Sequence, residues 1–187
     1  MSEVTLDLAC QYFYGQKFFV LRSGSLLFLR NSRSENADAQ PPLLLDAQSV
    51  PLLDRAMVKV LSWHTIPVTV KALRTFPEIL DFLHETTLRK AAALFNGMPL
   101  KKVLVVPHLP VAKTAREETI AALQQAGVEG ILLLPEMIEE TIRAVEARRS
   151  YPVVTCELLR ILKHYKLAGR VSSERRGKPP SQLELPL

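Results

Sequence analysis

The stretch KKVLVVPH, residues 101–108, sets the fold class predicted for this chain. Four apolar residues follow two lysines and end at Pro107, so the run is a short, continuously apolar strand. GILLLP, residues 130–135, has the same character. Strands of this kind are typically buried on both faces of a sheet, which requires helices on both sides. The chain is therefore predicted to be an α/β protein.

Antiparallel strands are predicted before these two runs. KFFVLRSGSLLFLR, residues 17–30, has two apolar runs separated by Ser23 and Gly24, the pattern of a β-hairpin. Extended runs are also predicted at 41–50 and 54–63. The predicted helices cover residues 2–14, 75–96, 114–126, 135–145 and 155–165. The fold class expected is α/β, with a mixed β-sheet whose antiparallel meander is flanked by helices.

Two T-x-x-E patterns predict where helices begin. Thr75 with Glu78, and Thr114 with Glu117, each have the spacing of a capping box, in which the threonine hydroxyl and the glutamate satisfy free backbone N–H groups. The first pattern predicts one long helix that ends at Gly97. Glu78, Asp81 and Glu85 would then share one face of that helix.

Composition indicates one domain with a tail. The chain has 187 residues, of which 48% are hydrophobic and 23% charged, as in ordinary globular proteins. We expect an α/β domain at 1–167 and a flexible basic tail at 168–187. No apolar run approaches the roughly 20 residues that span a bilayer, and no signal peptide pattern is present, so a cytoplasmic location without membrane contact is expected. The two cysteines lack the spacing of a disulfide framework or zinc site.

Positive charge is concentrated near the last residues of the sequence. The net charge is +5, and residues 157–187 carry 7 Lys or Arg against 3 Glu. A basic segment suits a polyanion such as nucleic acid, although a solvated tail explains the same composition. The candidate phosphate contacts are Arg170, Arg175, Arg176 and Lys178.

The order of elements resembles a known nuclease superfamily. A helix, an antiparallel meander, a long helix and a buried strand are similar to the α-β-β-β-α-β core of the PD-(D/E)XK restriction-endonuclease-like superfamily. The likeness runs from Ser2 to about Leu134 and is one of pattern. YFYGQKFFVLR resembles its first helix and strand, LLLDAQSV the strand with its first catalytic Asp, AMVKVLSWHT the strand with its Glu-x-Lys pair, and KKVLVVPHLP the strand after the long helix.

The resemblance implies a site that has lost its catalytic residues. Such nucleases hold Mg²⁺ with two carboxylates, and a lysine two residues beyond the second helps to activate water. Asp46 takes the position of the first acid, but Lys59 stands where the second acid belongs and Leu61 where the lysine belongs. An ammonium repels Mg²⁺, so we expect no catalytic residue, no metal and no other cofactor.

An active site with migrated ligands is the alternative. Some members of the superfamily take the second acid from the long helix, which makes Glu78 the fallback ligand beside Asp46, with Lys59 or Lys71 as the lysine. A solvated helix face explains the same acids more simply. His64, next to Trp63, has no partner acid or nucleophile at a recognisable spacing.

The last six residues, QLELPL, resemble the bacterial sliding-clamp-binding motif. The resemblance implies that Gln182 makes polar anchor contacts and that the leucines fill the hydrophobic cleft of the clamp. A flexible linker of about 14 residues before the motif would allow the motif to reach the clamp. The alternative is that the same leucines pack back onto the domain. The clamp-binding residues implied are Gln182, Leu183, Leu185 and Leu187.

These observations together predict a bacterial accessory protein of DNA metabolism or repair. It would be non-catalytic, tethered to the sliding clamp, with DNA as a further partner. Two alternatives stay open: a Mg²⁺-dependent nuclease with migrated ligands, and a scaffold protein that does not bind DNA.

Overall fold

The computed structural model describes residues 3–31, 54–62 and 67–166. The predictions for Asp46, for His64, for the third extended run and for the tail with its clamp-binding and phosphate-binding residues lie outside these ranges.

The described residues form a helix and three successive strands, after which helical segments alternate with two further strands. The strands are β1 (Phe18–Ser23), β2 (Leu26–Asn31), β3 (Arg55–Val60), β4 (Lys101–Val106) and β5 (Gly130–Leu133). The α-helices are α1 (Glu3–Gly15), α2 (Val70–Thr75), α3 (Glu85–Leu94), α4 (Lys113–Gln125), α5 (Leu134–Ala144) and α6 (Val154–His164). Two 3₁₀ turns, Pro77–Ile79 and Asp81–Leu83, lie between α2 and α3.

Among the described residues the strands form one mixed sheet in the order β1-β2-β3-β4-β5. β1 pairs antiparallel with β2, and β2 antiparallel with β3. β3 pairs parallel with β4, and β4 parallel with β5. The predicted hairpin is confirmed, with its turn at Gly24 and Ser25, one residue later than predicted because Ser23 still belongs to β1. Gly24 adopts a φ of +57°, which glycine allows without steric cost. The α/β class with a mixed sheet is likewise confirmed.

Helices cover both faces of the sheet. Alternate residues of β3 point to opposite sides. Ala56 and Val58 face α1 and α5 in the first core, whereas Met57 faces the second core, which lies under the two 3₁₀ turns and α3. Both sides are apolar and tightly packed: Phe13 from α1 and Phe82 from the second 3₁₀ turn are each almost fully buried. The predicted burial of β4 on both faces is confirmed, because Val103 to Val106 are all buried.

The single long helix predicted from Thr75 is wrong. α2 ends at Thr75, and its N-cap is Thr69, whose hydroxyl accepts a hydrogen bond from the Ala72 N–H at 3.0 Å. Pro77 lacks an N–H and disfavours helical geometry at Phe76, which has φ −124° and ψ 78°. The chain therefore continues as two short 3₁₀ turns before α3 begins.

The second predicted capping box is also wrong. α4 begins at Lys113 with Ala112 as its N-cap, and no side chain caps it. Thr114 thus lies inside the first turn, two positions after the N-cap. Glu117 instead approaches Lys113 at 3.9 Å as an exposed i,i+4 pair.

Candidate functional site

Lys59 is a buried charged residue on the face of β3 that borders the second core. It lies on β3 between β2 and β4, on the same face as Met57 and Leu61, and only 8% of the residue is exposed. Its Nζ donates to Asp81 Oδ1 at 2.9 Å and to Ser25 Oγ at 3.0 Å. The partners come from the residue before β2 and from the second 3₁₀ turn. We call Lys59, Asp81 and Ser25 the Lys59 cluster.

The break after α2 brings Asp81 to Lys59. Ile79 in the first 3₁₀ turn and Phe82 in the second are 0% and 1% exposed, so both turns are anchored in the second core. With Phe82 directed into this core, the neighbouring Asp81 remains at its rim and half of its side chain is exposed. The ion pair therefore joins a buried ammonium to a carboxylate that still contacts water.

The Lys59 cluster does not have the properties of a nucleophilic site. A serine activated by a lysine requires the lysine in its neutral form, as the base that accepts the hydroxyl proton. Here the Lys59 Nζ acts as a donor to both Asp81 Oδ1, at 2.9 Å, and Ser25 Oγ, at 3.0 Å. Ser25 is then an acceptor for Lys59 and gains no general base from it.

Leu61 belongs to the hydrophobic core. It is 4% exposed within the second core, and its backbone N–H donates to the Val105 carbonyl at 3.0 Å, which extends the pairing of β3 with β4 by one residue. Lys59 and Leu61 thus occupy two consecutive positions on one strand face, one held by an ion pair and the other by apolar packing.

The acids expected along one helix face are separated in the structure. Glu78 lies in the first 3₁₀ turn, Asp81 in the second and Glu85 at the start of α3. Lys59 pairs with Asp81, not with the exposed Glu78, and Glu85 pairs with Arg89 on α3 at 2.5 Å. The predicted stripe of three acids on one helix is therefore wrong, and the acid that reaches β3 is Asp81.

A further acid, Asp54, directly precedes β3, at the end of the strand opposite to Lys59. It precedes Lys59 by five residues, a distance of about 16 Å along an extended strand. Its backbone carbonyl accepts a hydrogen bond from the Asn31 N–H at 2.8 Å. Within residues 3–31, 54–62 and 67–166, no three His, Cys, Asp or Glu side chains are grouped so that they could hold a metal ion.

A second polar group lies between α1 and α5. Tyr12 is 4% exposed and lies beside the Glu140 carboxylate, which accepts a hydrogen bond from Gln16 Nε2 at 3.3 Å. Burial, reinforced by the adjacent Glu140 carboxylate, raises the pKa of Tyr12 well above its ordinary value. A cavity of about 500 Å³ adjoins these residues. Sequence reasoning missed this group, because Tyr12 and Glu140 are 128 residues apart and belong to no motif.

Comparisons of the chain with protein families, with curated proteins and with solved structures found no match. In the part of the chain that the structure describes, no helix combines the length and apolar character needed to cross a bilayer.

Proposed function

We propose that this protein is a non-catalytic accessory of DNA metabolism or repair, built on a degenerate restriction-endonuclease-like core and tethered to the bacterial sliding clamp through Gln182 to Leu187. The Lys59 cluster carries the non-catalytic half of the proposal. The clamp half rests on the likeness of QLELPL to the clamp-binding motif.

The order of the described elements supports the nuclease-like scaffold. α1 is followed by three strands paired antiparallel, then by helical segments and then by β4 parallel to β3. This order is similar to the α-β-β-β-α-β order of the PD-(D/E)XK core. In that comparison β3 is the strand whose positions 59 and 61 correspond to the metal-binding acid and the catalytic lysine.

The ion pair between Lys59 and Asp81 supports loss of the metal chemistry. An ammonium at 2.9 Å neutralises the one described acid that reaches this face of β3. Mg²⁺ binds through anionic oxygens, and a buried cation beside those oxygens opposes it. Leu61, buried in the core, has no group that could orient a water.

A plasmid-nicking assay tests the absence of catalysis. We expect no nicking by the full chain with or without Mg²⁺, and the same result for Asp46→Ala and Glu78→Gln. Mg²⁺-dependent nicking that either substitution abolishes would overturn the proposal in favour of the nuclease with migrated ligands.

Calorimetry with a purified bacterial sliding clamp tests the tether. We expect binding by the full chain and a loss of at least tenfold in affinity for Leu183→Ser with Leu187→Ser, since anchor residues of short docked segments carry most of the binding energy. Lys163 is unsuitable as a control, because its ammonium contacts α5. Lys166 is exposed and lies outside the motif, so Lys166→Ala is the control and should bind as the full chain does. Absence of binding by the unsubstituted chain would contradict the clamp half.

A further inference from the structure

Helix α6 presents an apolar stripe to solvent. Val154, Leu158, Ile161 and Tyr165 are 82%, 51%, 38% and 67% exposed. Their spacing of four, three and four residues places them along one side of the helix. The opposite side of α6 is buried through Cys156 and Leu159. We call the four exposed residues the α6 stripe.

Contacts on the other sides of α6 hold the stripe in place. Lys163 Nζ donates to the carbonyls of Ile142, Arg143 and Val145 at 2.8, 3.0 and 2.6 Å, which satisfies the end of α5. Arg160 forms a two-nitrogen pair with Glu157, whose Oε2 also accepts from the Tyr151 N–H at 3.1 Å. Glu157, Arg160 and Lys163 are thus held by contacts on the domain side of α6, and the four residues of the α6 stripe are left facing outwards.

The sequence that follows α6 contains side chains that match the stripe. Leu183, Leu185 and Leu187 recur at every second residue, about 6.6 Å apart in an extended segment. Successive stripe residues are about 4.5 or 6 Å apart along the helix axis. Three leucines spanning about 13 Å therefore fit along a stripe of about 17 Å.

The connecting segment is long enough for this contact. Leu183 is 17 positions beyond Lys166, the last residue that the structure describes. A chain of that length has a root-mean-square span of about 21–25 Å, more than the length of the stripe. A segment tethered at this distance also meets the stripe at a millimolar effective concentration, which a second molecule reaches only in concentrated solution.

We propose that the α6 stripe is the intramolecular docking site of Leu183, Leu185 and Leu187. Docking removes the stripe and the three leucines from water together, which is the driving force for the contact. The segment and its site then form a latch within one molecule.

The latch has a consequence that rests on the proposed clamp binding. The same leucines cannot occupy the α6 stripe and the cleft of a clamp at once. A latch that is closed nine-tenths of the time lowers the apparent clamp affinity about tenfold, because only the open fraction binds. Opening the latch would therefore regulate attachment to the clamp.

Amide NMR spectra of the full chain test docking without any clamp. Leu158→Glu places a charge at the centre of the stripe, and Leu183→Ser with Leu185→Ser and Leu187→Ser removes the docked side chains. Both variants should shift the amides of residues 154–165 and of 182–187 relative to the unsubstituted chain. The matched control is Phe19→Ser on β1, which is 65% exposed and remote in sequence from α6, and it should leave both sets of signals unchanged.

Two results would overturn docking. One is a serine variant whose α6 amides coincide with those of the unsubstituted chain. The other is a set of α6 shifts that grows with protein concentration, which would assign the stripe to a second copy of the chain. Leu158 is half-exposed, so its replacement should not unfold the domain; the serine substitutions lie outside the domain and provide an independent readout.

The clamp affinity of Leu158→Glu then separates the two proposals. If both hold, this variant binds the clamp several-fold to tenfold more tightly than the unsubstituted chain, while Phe19→Ser does not. An unchanged affinity would overturn the latch. Absence of any clamp binding, with the NMR shifts present, would overturn the proposed function and leave the docking of the leucines standing.

Discussion

Lys59 is a buried charged residue whose two hydrogen-bond partners come from other parts of the chain. Its ammonium is buried beside Met57 and Leu61 and is balanced by Asp81 and Ser25. A buried charge is tolerated only when it is paired and hydrogen-bonded. Lys59 therefore links β3 to the second 3₁₀ turn and to the residue before β2. Removal of either partner would leave the Lys59 side chain with one hydrogen bond fewer.

Asp81→Ala should lower the free energy of unfolding by about 1–2 kcal/mol, because it leaves the buried ammonium of Lys59 with Ser25 alone. The value is below that of a fully buried pair because half of the Asp81 side chain is exposed. Urea unfolding measures it. Glu78→Ala, on the exposed acid three residues earlier, is the control and should change stability by less than about 0.5 kcal/mol.

Substitution of Lys59 gives a second test of the ion pair between Lys59 and Asp81, again by urea unfolding. Lys59→Met replaces the charge with an apolar chain of similar size and leaves no buried ion, so it should destabilise the protein less than Asp81→Ala. Equal losses for both variants would mean that shape, not charge, holds this part of the structure together.

Tyr12 should make stability fall at alkaline pH. Burial raises its pKa in the folded state, so the unfolded chain releases its proton first as the pH rises. The free energy of unfolding is therefore unaffected well below the ordinary tyrosine pKa of 10.0 and decreases as the pH rises above it. Urea titrations between pH 8 and 11 should show a shallower decrease for Tyr12→Phe. The half-exposed Tyr14→Phe should retain the slope of the unsubstituted protein.

The segment from α2 to α3 shows how one proline organises several elements. Pro77 ends the helical path after α2, and the two 3₁₀ turns that follow bury Ile79 and Phe82 against the sheet. A continuous helix from Thr75 would have kept the three acids on one exposed face. The break instead directs Asp81 to Lys59.

The N-cap of α2 gives a prediction at the scale of the element. Thr69→Ala removes the side chain that accepts from the Ala72 N–H, so it should cost about 1 kcal/mol of unfolding free energy. Thr114→Ala is a matched control, since α4 has no side-chain cap and Thr114 lies within its first turn. The two variants are compared by urea unfolding, and a cost for Thr114→Ala as large as that for Thr69→Ala would contradict this assignment of the caps.

At the scale of the whole molecule, the uneven charge distribution bears on DNA as a partner. Residues 157–187 carry most of the net charge of +5, and Arg175 and Arg176 lie in this part of the sequence. Contacts with phosphates release counterions, so such binding weakens steeply as salt is added.

Arg175→Ala with Arg176→Ala should reduce the slope of log affinity against log salt by about 2 for labelled duplex DNA, if each arginine contacts one phosphate. A gel-shift or anisotropy titration at several salt concentrations measures the slope. The control is Arg148→Ala with Arg149→Ala, which removes the same charge from an exposed pair between α5 and α6. No duplex binding by the unsubstituted chain would favour the scaffold alternative.

The sequence by itself determined the class of the fold and most of its elements. The apolar run at 103–106 is buried on both sides, as predicted, because it is too short and too uniformly apolar for a surface position. The hairpin turning at Gly24 is also as predicted, since local turn chemistry encodes it. These features depend on neighbours within a few residues, which is the range that a sequence pattern can report.

The tertiary structure alone decided which partners meet. The pairing of Lys59 with Asp81 and of Tyr12 with Glu140 joins residues 22 and 128 positions apart, and no spacing rule predicts either contact. The capping boxes predicted at Thr75 and Thr114 were wrong as well, because α2 ends at Thr75 before Pro77 and α4 already begins at Lys113. Long-range contacts depend on how the elements pack, and packing is a property of the whole chain.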